Sequence, residues 1–219
     1  MTWNDINVFQ FQQIVKAREE KESIERDSKL IAIINGWGEM QVDSLTVAEF
    51  NKEREKLRFL DEDITGKAVN YITINKRRYK CIYDLRKINA ARYIESKTFS
   101  QDLIPNLHKI AASLVHPMKK TFFGWRLDKY DAAKHEEYSQ DMLEARFVDV
   151  YHSVVFFYQV YRNWMEVSKG YLIAEMINKG VINPEKVVAD LLNIMDGNIA
   201  PKLLPTTKIS QLQKRMNYQ

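Results

Sequence analysis

The chain of 219 residues has a single cysteine, Cys81. No disulfide can form within it and no cysteine-rich zinc site is available, which suits a reducing compartment. Five prolines and seven glycines are too few for the turns of an all-β fold and favour helices. The N-terminal MTWNDINVFQ lacks the basic stretch and apolar run of a signal peptide, and no Asn-x-Ser/Thr sequon occurs. Long uninterrupted apolar runs are missing too. The most apolar stretch, FVDVYHSVVFFYQVYRNWM (147–165), carries Asp149, His152, Gln159 and Arg162, which a bilayer rejects. It reads as a buried helix of a soluble protein, and no membrane contact is expected.

Recognisable catalytic patterns are also scarce. His135-Glu136-Glu137-Tyr138-Ser139 begins like a zinc-protease motif but places Ser139 where the second histidine belongs. The four histidines, at 108, 116, 135 and 152, never fall at ligand spacing. Gly36-Trp37-Gly38 is followed by Gln41 instead of the third glycine of a dinucleotide fingerprint, and neither a P-loop nor a Gly-x-Ser-x-Gly turn is present. His152 lies three residues after Asp149, the residue types of a base oriented by a carboxylate, although a core histidine explains the pair as well. The expectation is a protein without enzymatic activity, cofactor or metal.

What is there is large apolar side chains and uneven charge. Eleven Tyr, ten Phe and four Trp within a 45% hydrophobic composition supply a core. Net charge is +4, but residues 1–66 hold 9 basic and 14 acidic side chains, residues 67–134 hold 15 and 5, and residues 135–219 hold 9 and 10. An acidic segment followed by a basic one suits head-to-tail packing of copies or a basic face turned to nucleic acid; solvated faces are the plain alternative.

Periodicity predicts a multi-helical, mostly α protein with one small β-hairpin (α+β). A first helix is expected over about 5–19, capped by Thr2 or Asn4, with Ile6, Phe9, Ile14 and Val15 apolar; a charged connector or an exposed helical turn follows over 19–29. Leu30, Ile31, Ile33 and Ile34 end a second helix at Gly36. Thr46-Val47-Ala48-Glu49 is a capping-box sequence that opens a helix over about 47–60, and Trp37 wedges the corner between the two. VNYITINKRRYKCIY (69–83) alternates as a hairpin. With Asn75–Arg78 as the turn, Ile74 would face Tyr79 and Ile72 would face Cys81, an inert buried thiol. Helices are expected over about 85–97 from Asp84 and from Pro105 to His116-Pro117. The run 118–131 reads as a loop whose aromatics are packed. A long helix is expected over about 131–168, with Gly170 bending or ending it. Its stripes are Phe147, Tyr151, Val154, Tyr158, Tyr161 and Met165, and Val150, Phe157 and Trp164. Shorter helices follow to Gly180 and after Pro184. The regions are 1–66, 67–130, 131–196 and a C-terminal arm, 197–219, appended to one compact unit.

Two sets of side chains are candidate contacts. One is the basic cluster Lys76, Arg77, Arg78, Lys80, Arg86, Lys87 and Arg92, which could reach phosphates with Tyr79 as a stacking ring; a charged, solubilising turn is the alternative. The other is Trp37 together with Pro201, Leu203, Leu204, Pro205, Ile209 and Leu212 of the arm.

The stretch LIAIINGWGEMQVDSLTVAEFNKEREKLRFL (30–60) resembles a helical pattern of tailed-phage tail assembly chaperones. An apolar helix ends in a small residue (Ile33-Ile34-Asn35-Gly36), a polar spacer holds an acidic-Leu pair (Asp43-Ser44-Leu45), and an acidic-aromatic helix (Glu49-Phe50) closes on Phe59-Leu60. The stretch 71–117, with its hairpin, a helix containing Ala-x-Tyr-Ile and a Leu-His-Lys-Ile helix ending in proline, is similar to structural-gene proteins of Bacteroidetes phages, including crAss-like ones. The resemblance covers under half the chain and brings no catalytic residues. It implies a tail or neck morphogenesis protein assembled in the host cytoplasm and located in the virion. Its partners would be copies of itself in a ring and other tail or neck proteins. The alternatives are a transient assembly chaperone and a nucleic-acid-binding module using residues 76–92.

Overall fold

The computed structural model describes residues 1–84, 88, 90–179 and 182–189. The first ordered feature is a single 3-10 turn, Trp3–Asp5, capped by Thr2. Asn7 then opens helix α1 (Val8–Arg18) with a reciprocal capping box to Gln10. The expected helix from residue 5 is thus two elements. Its phase also changes: Phe11 is buried and Phe9 is 51% exposed. Ser23 caps α2 (Ile24–Asn35), so the second half of the charged stretch 19–29 is helical.

Gly36 ends α2 in the left-handed region at φ 67, where a side chain would be strained. The Trp37 N–H reaches back to the Ala32 carbonyl at 2.9 Å, closing a Schellman-type stop. A short α3 (Glu39–Asp43) follows. Thr46 and Glu49 then form the expected capping box at the start of α4 (Val47–Lys56), which runs into a 3-10 turn, Leu57–Asp61. Trp37 is partly buried at this corner and is not part of the main core.

The β structure is larger than one hairpin. Strands β1 (Tyr71–Ile74), β2 (Arg77–Cys81), β3 (Val115–Thr121) and β4 (Gly124–Leu127) form an antiparallel sheet in the order β1-β2-β3-β4. The first pair registers Ile74 with Arg77 and Ile72 with Tyr79. The expected register is therefore displaced by two residues. The cause is the turn: Asn75 and Lys76 both take positive φ, 47 and 67, the two-residue geometry that matches strand twist. A two-residue displacement preserves the face, so Ile72, Ile74, Tyr79 and Cys81 are all buried. The second pair occupies 115–127, where a loop was expected.

Between the pairs lie α5 (Ala90–Phe99) and α6 (Leu107–Ser113). After β4 come α7 (His135–Glu144) and α8 (Phe147–Asn178). The single helix expected over 131–168 is thus broken at Ala145-Arg146, although no proline or glycine sits there. The N-terminal segment makes the break: the Phe147 N–H donates to the Ile6 carbonyl at 2.8 Å, and the Val8 N–H donates to the Ala145 carbonyl at 3.0 Å, a bridge centred on Asn7 and Arg146. Conversely, α8 passes straight through Gly170. Its 32 residues extend about 48 Å at 1.5 Å per residue.

One core joins these parts, from Trp3 to Phe157. At its centre Phe11 and Phe147 stack with centroids 3.8 Å apart, and Trp3 meets Phe59 and Phe147 at 5.1 and 5.6 Å. The Trp3 indole donates to the Glu62 carbonyl at 3.1 Å. In the first half of α8 the two apolar stripes are buried, with Phe147, Val150, Val154 and Phe157 at most 2% exposed, while Trp164 is 51% exposed. Phe147→Ala empties the point where three elements meet. It is expected to lower unfolding free energy by about 3–5 kcal/mol, read as the shift of the urea midpoint at constant slope.

Candidate interaction surfaces

Three residues of the basic cluster singled out from sequence, Arg77, Arg78 and Arg92, make contacts within the fold. Arg77 pairs with Glu137 at 2.6 Å and Asp141 at 3.1 Å, both on α7. These contacts tie β2 to the helix behind it and hold the Arg77 guanidinium charged. Arg78 lies over the Tyr71 ring at 4.2 Å. Arg92 is 1% exposed. It donates to the carbonyls of Ser113 at 2.8 Å and Val115 at 2.5 Å and rests on the Tyr130 ring at 4.1 Å. The Ser113 carbonyl stands at the C-terminal end of α6, where helical acceptors lack internal partners and a cation is favoured, and the Val115 carbonyl opens β3. Burial pulls the Arg92 guanidinium down to about 10, which leaves it charged at neutral pH. Arg92 is therefore a capping group in the interior and not a phosphate contact.

Tyr79 is likewise withdrawn from the surface. It is 2% exposed and its hydroxyl donates to Asp141. Burial first, then that hydrogen bond, pushes its pKa up. It offers no face on which a base could stack. Among the described members of the cluster, Lys76, Arg77 and Lys80 remain exposed. Arg86 and Lys87, and Pro201, Leu203, Leu204, Pro205, Ile209 and Leu212 with the whole 197–219 arm, lie outside the described residues.

The histidines serve packing. His135 stacks on Phe99 and its Nε2 lies 3.2 Å from the Lys109 carbonyl. The Asp149 carboxylate is held by Arg146 in two bonds of 2.9 Å, so it is not the orienting partner of His152. Burial lowers the His152 pKa. Gly66 packs against this ring, and a Cβ added there would lie 2.6 Å from His152 Cδ2 and from Val148 Cγ1. A shallow groove of about 470 Å3 runs beside it, lined among others by Lys67, Asn70, Tyr83 and Phe156. Among the described residues, no group of three or more His, Cys, Asp or Glu is arranged to hold a metal ion. No described helix is long and apolar enough to cross a membrane. The Cys81 thiol is buried and its pKa is raised by burial, as its place on the hairpin's apolar face predicted.

The exposed apolar side chains lie elsewhere. At the β3–β4 turn, Phe122 is 97% and Phe123 86% exposed, so the packing expected for the aromatics of 118–131 fails for these two rings and holds for Tyr130, which packs against the core. Gly124 at φ +112 completes this turn, and the Thr121 hydroxyl donates to the Gly124 carbonyl at 2.7 Å. The alternation of Met118 and Lys119 opposite Trp125, Arg126 and Leu127 around a glycine was the available signal. On the α3–α4 corner, Met40 and Val47 are almost free of cover, and the far half of α8 exposes Trp164, Val167, Tyr171 and Ile177.

One titration follows from this packing. His108 Nδ1 accepts from the Gln12 side-chain amide at 3.0 Å, and burial followed by the nearby Lys109 pushes its pKa from 6.5 to about 4. Between those values the unfolded chain binds the proton and the folded chain does not, so stability falls as pH drops through the window. Buried His116 and His152 act in the same direction. The urea midpoint is expected to fall from pH 7 to pH 4.5, and to fall less in His108→Gln; equal slopes for the two proteins would contradict this. Set against known proteins, the chain matches no family model, no curated protein and no solved structure.

Proposed function

We propose that this chain is a non-enzymatic, multi-copy structural subunit of a tailed-phage tail or neck, acting through protein–protein contacts. The observation that carries the reading is the amount of large apolar surface left uncovered on an otherwise well-packed fold. Phe122 and Phe123, Met40 and Val47, and Trp164, Val167, Tyr171 and Ile177 are each more than half exposed. Scattered exposed apolars are ordinary, but groups of this size mark surfaces that a partner covers.

The far half of α8 supports the same reading. Val160, Trp164, Val167, Tyr171 and Ala174 step by four, three, four and three along one uninterrupted helix. That is the spacing of a seam between helices. The charge asymmetry adds orientation, since an acidic N-terminal region and a basic middle in the same chain favour head-to-tail contact between copies. The order of elements also suits the tail-protein resemblance: helix, corner and helix over 30–60, then a hairpin and two helices before Pro117. Obligate interfaces of this type bury roughly 2,000 Å2 or more.

The purified chain is expected to show a multi-copy mass by light scattering, and mass spectrometry of purified particles to detect it in the finished virion. A monodisperse monomer would remove the ring-subunit reading. A multi-copy protein missing from particles would mark a transient assembly chaperone instead.

A further inference from the structure

We propose that the β3–β4 hairpin tip of one copy docks on the α3–α4 shelf of a second copy. This rests on the assembly reading above and names the contact through which copies join.

The tip is a built knob. The Phe122 and Phe123 rings pack on each other edge-to-face, 5.4 Å apart, and touch little else, being 97% and 86% exposed. The strands behind them are basic. Lys119 is matched by Asp128 at 3.6 Å. Lys120 and Arg126 are exposed and make no ion pair among the described residues. The tip thus offers two aromatic rings and two unmatched cations on a short, rigid stem.

The shelf presents the complement. Met40 is 85% and Val47 79% exposed. Glu39 and Asp43 flank them, exposed and without an ion pair among the described residues. The shelf is also held in place before any partner arrives. The stop at Gly36 fixes its entry, the Gln41 side chain accepts from the Gly38 N–H at 2.9 Å, and the Thr46–Glu49 box fixes the start of α4. Ordering cost on binding is correspondingly small. Apolar surface faces apolar surface, and two unmatched cations face two unmatched anions, which sets register as well as attraction.

The two patches are different parts of one chain, so the contact is heterologous. Each bound copy still presents one tip and one shelf, and association continues until a ring closes or a filament runs on. An anionic membrane surface also suits an aromatic tip with basic flanks, but it leaves the acidic shelf unexplained.

The test compares the wild-type chain with Phe122→Ser plus Phe123→Ser, and with Glu39→Lys plus Asp43→Lys, by sedimentation velocity. Each pair of substitutions lies on exposed positions. Each variant alone is expected to sediment as smaller species than wild type, with the apparent dissociation constant raised about tenfold or more. An equimolar mixture joins an intact tip to an intact shelf and is expected to recover a 1:1 contact that neither variant makes alone. A wild-type oligomer that both variants preserve overturns this contact while the assembly reading stands; a monomeric wild type overturns both. Binding to phosphatidylglycerol-containing vesicles that the tip substitutions abolish, with no effect of the shelf substitutions on association, would make the membrane the occupant and also overturn it.

Discussion

The architecture depends on the chain's first eight residues. Trp3 brings its indole against Phe11, Phe59 and Phe147, and the backbone around Asn7 bonds across to the junction of α7 and α8. Those hydrogen bonds use the N–H of Phe147 at the start of α8 and the carbonyl of Ala145 after α7, groups that helix ends leave without internal partners. Satisfying them from elsewhere in the chain lets two helices meet at an angle without a proline or glycine. The buried residues of the first half of α8 then join the core, and its second half exposes Trp164, Val167, Tyr171 and Ile177.

A similar economy governs the polar interior. Arg92 neutralises the carbonyl end of α6 while lying flat on Tyr130. Arg77 joins β2 to α7 through Glu137 and Asp141. Buried or half-buried cations of this kind are stable because each finds acceptors inside the fold. For Arg92, that use in the frame puts the guanidinium out of reach of solvent.

The core and the uncovered apolar groups draw on different surfaces of the same segments. The sheet's inner face, with Ile72, Tyr79 and Cys81, belongs to the core, while the far end of β3 and β4 lifts Phe122 and Phe123 clear of it. The corner after α2 is fixed by glycine and caps yet leaves Met40 and Val47 in solvent. A rigid support under an uncovered apolar group is the arrangement expected where another protein is to be gripped.

The sequence alone determined what depends on neighbours in the chain. The Gly36 stop, the Thr46–Glu49 box, the inward face of the first hairpin and the burial of Phe147, Val154 and Phe157 are local in origin: one glycine's conformational freedom, one hydroxyl's reach, one periodicity. The tertiary structure alone decided the break at Ala145-Arg146 and the interior place of Arg92 and Tyr79. Each of these is set by a partner far along the chain, Ile6 for Phe147 and Ser113 for Arg92 among them. A hydrogen bond or ring contact across such a distance leaves no periodic trace in the residues that make it.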